Sequence, residues 1–176
     1  MEKRKIKTLK KIIAFLIVFN LMSILMYVVL YFEIEINFLK IPISYLAYQF
    51  FRLMWNNVEW LKEEASVEFK DKNLVAEIST DSTGWKSLYA LFSLILSANF
   101  VRNKFSFKFK RKELKFLFLV LVAIFLINFF RIITTIQATL LFGLEVFNIF
   151  HTLLWREMMI FFVVFFFYIY IRKFGF

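Results

Sequence analysis

Three short polar clusters stand at or within long apolar runs of the chain, and between them they hold a hydroxyl, a guanidinium and an imidazole. Ser82 opens Ser82-Thr83-Gly84, Arg131 closes Asn128-Phe129-Phe130-Arg131, and His151 follows Phe150. An imidazole takes and returns a proton near neutral pH. A guanidinium stays protonated even when desolvated, so it supplies fixed positive charge where negative charge develops. A hydroxyl is a weak nucleophile unless a base is placed beside it. Arg131 sits in the otherwise uncharged stretch 116–144, where a charge deep in a membrane span costs at least ~2.5–3.5 kcal/mol and marks a functional candidate. Asn128, Arg131, Thr134 and Thr135 recur at i, i+3, i+6 and i+7, on one helical face that must meet protein or water. Asn148, Thr152 and Arg156 share a second face near His151, and Ser82, Lys86, Ser93 and Ser97 a third.

Each cluster also has an ordinary explanation. Arg131 can clamp Glu157 or backbone carbonyls, His151 can be an interfacial residue, and Ser82 can cap a helix. Their convergence on one depth from three separate segments favours a shared site. Gly84, one of only three glycines, is placed where the backbone has to approach a substrate closely. One His and no Cys cannot make a standard zinc site, so no metal or other cofactor is expected. A buried cation without paired carboxylates makes an ion path a weak alternative. Trp85, Trp155 and the Phe-rich runs read as packing or lipid-facing residues.

These groups need elements to hold them, and the composition says which. Of 176 residues, 61% are hydrophobic, 22% aromatic and 20% charged; soluble domains are about 45–50% apolar and about 25% charged. The bilayer is therefore the expected solvent, and the fold class an all-α multi-pass membrane protein forming a single domain over 1–176. Spans need about 20 apolar residues and are expected at about 12–32, 83–101, 116–142 and 148–171. The stretch 36–55 contains Lys40, Pro42, Gln49 and Arg52 and reads as an interfacial helix. Residues 65–80 alternate in polarity around Asp71-Lys72-Asn73 and read as a small extracytoplasmic β-hairpin.

Six Lys or Arg lie among the first eleven residues and seven over 102–115, against nine acidic and five basic residues over 33–81. Positive flanks stay inside, so both termini are expected in the cytoplasm and the segment 33–81 outside. The net charge of +10 is then a topology signal, with membrane lipids and no nucleic acid as its partner. The first apolar run is longer than a signal-peptide core and lacks a small-residue cleavage site, so it is read as uncleaved. Arg131 lies about fifteen residues up its span, roughly 22 Å at 1.5 Å per residue, in the same outer half as His151.

The order Ser82-Thr83-Gly84, Asn128-Phe129-Phe130-Arg131, Phe150-His151 resembles the exosortase and archaeosortase family, whose pattern is Cys-x-Gly, then Asn-x-x-Arg, then His or Arg. The likeness covers about the last hundred residues. It implies a prokaryotic plasma-membrane peptidase or transpeptidase with an outward-facing site. Its implied partners are membrane-anchored proteins with a C-terminal sorting signal and a lipid acceptor. By the same resemblance, position 82 is the nucleophile, Arg131 stabilises the oxyanion and His151 is the acid and base. Gly84, Asn128 and Arg156 would support them or bind substrate. The departure is Ser82 where the family has Cys. Either Ser replaces a reactive Cys, or it is natural and the chain is a pseudoenzyme or serine variant; as written it is expected to be slow or inactive. A noncatalytic membrane adaptor that binds substrate helices, and a transporter, are the rivals.

Overall fold

The computed structural model describes residues 2–32 and 37–175. In chain order the elements are α1 (Glu2–Tyr31), α2 (Asn37–Arg52), β1 (Val58–Leu61), β2 (Ser66–Phe69), β3 (Leu74–Glu77), α3 (Trp85–Arg102), α4 (Arg111–Phe142), α5 (Leu144–Asn148) and α6 (Trp155–Phe174). Among the described residues, three helical stretches are long and apolar enough to cross a membrane: Thr8–Val28, Arg111–Phe142 and Leu144–Phe174. The fourth expected span is α3. It has 18 residues, but Lys86, Ser87, Ser93, Ser97, Asn99 and Arg102 leave it less apolar than the other three.

Helix α4 starts at Arg111, five residues before the uncharged run at 116, and Glu113 in its first turn joins a buried ion pair. It stops at Phe142, as expected, where Gly143 takes φ +88°. The chain becomes helical again at once, as α5, then passes through one π-helical turn over Ile149–Leu154 before α6. The expected start at 148 missed this first part. Residues 58–77 form a three-stranded antiparallel sheet in the order β1-β2-β3, one strand more than the expected hairpin. Residues 33–36 of the expected outer segment lie outside the described residues.

Contacts divide the chain into two compact units. One comprises Met1–Ile34, Lys86–Ala123 and Phe161–Phe176. In it α1 leaves Leu16, Ile17, Leu21 and Leu25 exposed, as a lipid-facing helix would. Tyr89 donates its hydroxyl to Met22 O at 2.6 Å. Glu113 is 2% exposed and accepts from Arg102 Nη2 at 2.6 Å and Asn99 Nδ2 at 2.9 Å. Arg102 Nη1 donates to Phe174 O at 3.0 Å, closing the α6 terminus. Ser93 and Ser97 are buried here, Ser97 donating to Ser93 O at 2.7 Å.

The other unit comprises Glu35–Trp85 and Ile124–Ile160. Ile43, Ala47 and Phe51 recur at i, i+4 and i+8 on α2 and form one buried stripe. That stripe packs with Val67, Phe69 and Ile78 of the sheet region and with Ile132, Ile133, Ile136 and Leu140 of α4. Away from that stripe α2 exposes Phe38 and Tyr45 on its opposite side and Leu46 and Phe50 on its flank, in keeping with an interfacial helix. Trp60 donates to Ser44 Oγ at 3.0 Å and Trp55 to Gln137 Oε1 at 3.2 Å, tying the sheet end to both helices. The expected turn is present: Asn73 adopts the left-handed conformation at φ 49°, which asparagine tolerates, and its N–H donates to Lys70 O.

Candidate functional site

Ser82 lies in a 3-10 turn, Thr80–Thr83, between β3 and α3. Ser79 caps that turn. Its hydroxyl accepts from Ser82 N at 3.3 Å and lies 2.9 Å from Ser82 Oγ. Thr83, fully buried, donates to Thr80 O at 2.7 Å. Gly84 ends the turn in the left-handed region at φ +74°. Its missing Cβ makes room for Asn128, whose Cγ lies 2.5 Å from where that Cβ would stand. Two of the sequence's site residues thus meet by direct packing.

Asn128 is 1% exposed and connects the turn to the rest of the site. Its Nδ2 donates to Ser82 O at 2.9 Å, and its Oδ1 accepts from Arg131 Nη1 at 3.4 Å. Arg131 Nη2 stands 3.0 Å from His151 Nε2. Guanidinium nitrogens only donate, so in this hydrogen bond Nε2 is the acceptor. The π-helical turn carries His151, and its ring stacks on Phe147 with centroids 5.0 Å apart and planes 9° apart. A hydrogen-bonded run therefore links Ser82 O, Asn128, Arg131 and His151.

Ser82, Arg131 and His151 all line one cavity of about 240 Å³, which is walled by β3, α4 and α5. Thr135, 3% exposed, faces this cavity. Thr134, from the same predicted face, turns its hydroxyl back to Phe130 O and Arg131 O of its own helix. Arg156 is not brought to the cavity: it is exposed, and its Nε donates to Glu157 at 3.2 Å. That contact also occupies Glu157, the carboxylate offered as an ordinary partner for Arg131. Of the other predicted polar residues, Ser93 and Ser97 do not line the cavity, and the side chain of Thr152 lies outside the described residues. Among the described residues no three His, Asp or Glu converge as metal ligands.

Ser79, Glu77 and Phe147 are site residues that sequence reasoning missed. Ser79 had a signal, since Ser before Thr80-Asp81-Ser82 is a turn cap. Phe147 had none, because its position under His151 depends on the π-helical turn. The chain matches no family model, and no curated protein or solved structure matches it.

Proposed function

We propose that the chain is a membrane-embedded, sortase-like cysteine peptidase or transpeptidase scaffold whose nucleophile position holds Ser82. In this reading four spans, α3 being the fourth, put both termini in the cytoplasm of a prokaryotic cell and the cavity outside. The single observation that supports it is the hydrogen-bonded run from Ser82 through Asn128 and Arg131 to His151, opening on one cavity.

With Ser82→Cys, the chemistry is an acyl transfer in two steps. A peptide entering the cavity draws Arg131 Nη2 from His151 Nε2 to the carbonyl oxygen of the scissile bond. The freed Nε2 takes the thiol proton, and the thiolate sulfur attacks the carbonyl carbon. Arg131 stabilises the oxyanion. Collapse breaks the C–N bond, Nε2 returns its proton to the leaving nitrogen, and a thioester remains. An amine or hydroxyl of a lipid acceptor then attacks the thioester and gives its proton to Nε2, which returns it to the departing sulfur. Asn128 holds the nucleophile turn against Arg131 throughout.

A second reading, a noncatalytic adaptor for substrate helices, is favoured for the chain as written by one observation. Ser82 Oγ is hydrogen-bonded to Ser79 Oγ, which is no base. The test is to incubate Ser82→Cys with candidate sorting-signal peptides. Cleavage that drops sharply in Arg131→Ala and His151→Ala supports the enzyme scaffold; cleavage unchanged in both sinks it.

A further inference from the structure

β3 is the outer strand of its sheet, and its open edge lines the same cavity as Ser82. The ladder shows which backbone groups that edge presents. Ile78 N–H donates to Ala65 O at 3.2 Å, and the register pairs Ala76 with Val67 and Leu74 with Phe69. Bonded and non-bonded pairs alternate in an antiparallel ladder. Leu74, Ala76 and Ile78 therefore bond inward to β2 and the residue before it, and Val75 and Glu77 direct both N–H and C=O outward. Among the described residues no other hydrogen bond engages those outward groups. An open edge pairs readily with another extended chain.

We propose that this edge binds the substrate by strand addition: an extended peptide pairs with Val75 and Glu77 and runs along β3 toward Ser82, with a Lys or Arg opposite Glu77. The proposal rests on the reading of the cavity as a peptide site and adds how the peptide is held and one determinant of its sequence. The occupant is set by the lining. Outward amides call for a backbone partner, since main-chain bonds give affinity in strand addition and alternate side chains give specificity. On the side of the added strand facing α4, side chains meet Ile132, Thr135 and Ile136. On the other side, directly opposed residues stand about 4.5–5.5 Å apart at Cβ, so one peptide residue faces the exposed Glu77 carboxylate. A basic residue there complements it, and like charge is disfavoured. Arg131, which lines the same cavity, repels such a cation and so disfavours a basic residue beside it.

The test is a selection from a random dodecapeptide phage library on the full chain in nanodiscs. The expected peptides carry Lys or Arg at one fixed position. Val75→Pro removes one outward N–H without touching the β2 ladder, and should weaken capture about fivefold or more, the effect of one lost hydrogen bond; Val75→Thr, which keeps the N–H, should not. Glu77→Lys should move the preference at that position to Asp or Glu. If Val75→Pro fails to fold, the charge exchange at 77 decides. Equal capture by the Pro and Thr variants, a charge preference indifferent to Glu77→Lys, or no enriched peptide overturns the proposal. Cleavage by Ser82→Cys that is insensitive to Val75→Pro also overturns strand addition but leaves the peptidase reading standing. Edge-dependent capture with no cleavage by Ser82→Cys does the reverse.

Discussion

Gly84→Ala tests the join between the Ser82 turn and Asn128. At φ +74° an L side chain costs roughly 1–2 kcal/mol relative to glycine. The added Cβ would also stand 2.5 Å from Asn128 Cγ, 2.7 Å from its Oδ1 and 2.9 Å from its Cβ. Overpacking of a well-filled site costs about 1–3 kcal/mol, and the Asn128 to Ser82 bond cannot survive the displacement. A loss of about 3 kcal/mol is expected, which at this chain length lowers Tm by about 6–12 °C. Gly143→Ala is the control. Nothing lies within 4 Å of its missing Cβ, and at φ +88°, ψ 176° its conformation is one that only glycine adopts readily, so it carries a backbone cost alone, about 1–3 kcal/mol. Thermal unfolding of both in one detergent shows whether each is destabilised, and the Asn128 contact is isolated by second substitutions at 128. Adding Asn128→Gly to Gly84→Ala removes all three close contacts and should recover part of the loss; Asn128→Ala retains the 2.9 Å contact and should recover less. No recovery from Asn128→Gly refutes the packing account.

Arg102→Ala strands the buried carboxylate of Glu113 and should cost about 3–5 kcal/mol, read as a large drop in Tm; an unchanged Tm would show that the Arg102 to Glu113 contact contributes nothing. Asn128→Leu severs both its hydrogen bonds, to Ser82 and Arg131, and in a Ser82→Cys background should reduce peptide cleavage at least tenfold, as a lost positioning group typically does. Lys70 is raised above its ordinary pKa, first by its hydrogen bond to Glu59 and against a smaller desolvation effect. A raised lysine stabilises below its unfolded value and ceases to as pH climbs through the folded one, so the contribution is intact at pH 7 and fades only in alkali. Because the pair is exposed it is worth little, and Glu59→Gln should leave Tm at pH 7 unchanged.

Much of the architecture was legible because uncharged length dictates helix in a bilayer. Helices α1 and α4 are direct consequences of that rule, and the end of α4 of Gly143. Helix α3 lies where the expected span 83–101 was placed, but Ser93, Ser97 and Asn99 are buried polar residues that lower its apolarity, so its length and composition do not single it out as a span. Strand β1 is four residues between Asn56-Asn57 and Glu63-Glu64, too short to announce itself; only pairing with β2 defines it. The site shows the same division. The face carrying Asn128 and Arg131 was readable from helical spacing, because both need a partner other than lipid. The same spacing put Arg156 beside the site. A π-helical turn adds a residue per turn and rotates the helix beyond it, so regular spacing across 149–154 does not predict which side chains share a face. His151 reaches Arg131 from within that turn, and Arg156 beyond it faces away. Glu77 was invisible as a site residue because its position depends on which edge of the sheet is left open.

The most direct measurement of the central claim needs no substrate. It is the rate of iodoacetamide alkylation of Ser82→Cys at pH 7, compared with the same variant carrying Arg131→Ala or His151→Ala. If position 82 shares one electrostatic site with the guanidinium and the imidazole, the thiolate is favoured there, and each second substitution slows alkylation about tenfold or more. Equal rates in all three proteins would contradict the claim that Ser82, Arg131 and His151 act as one centre.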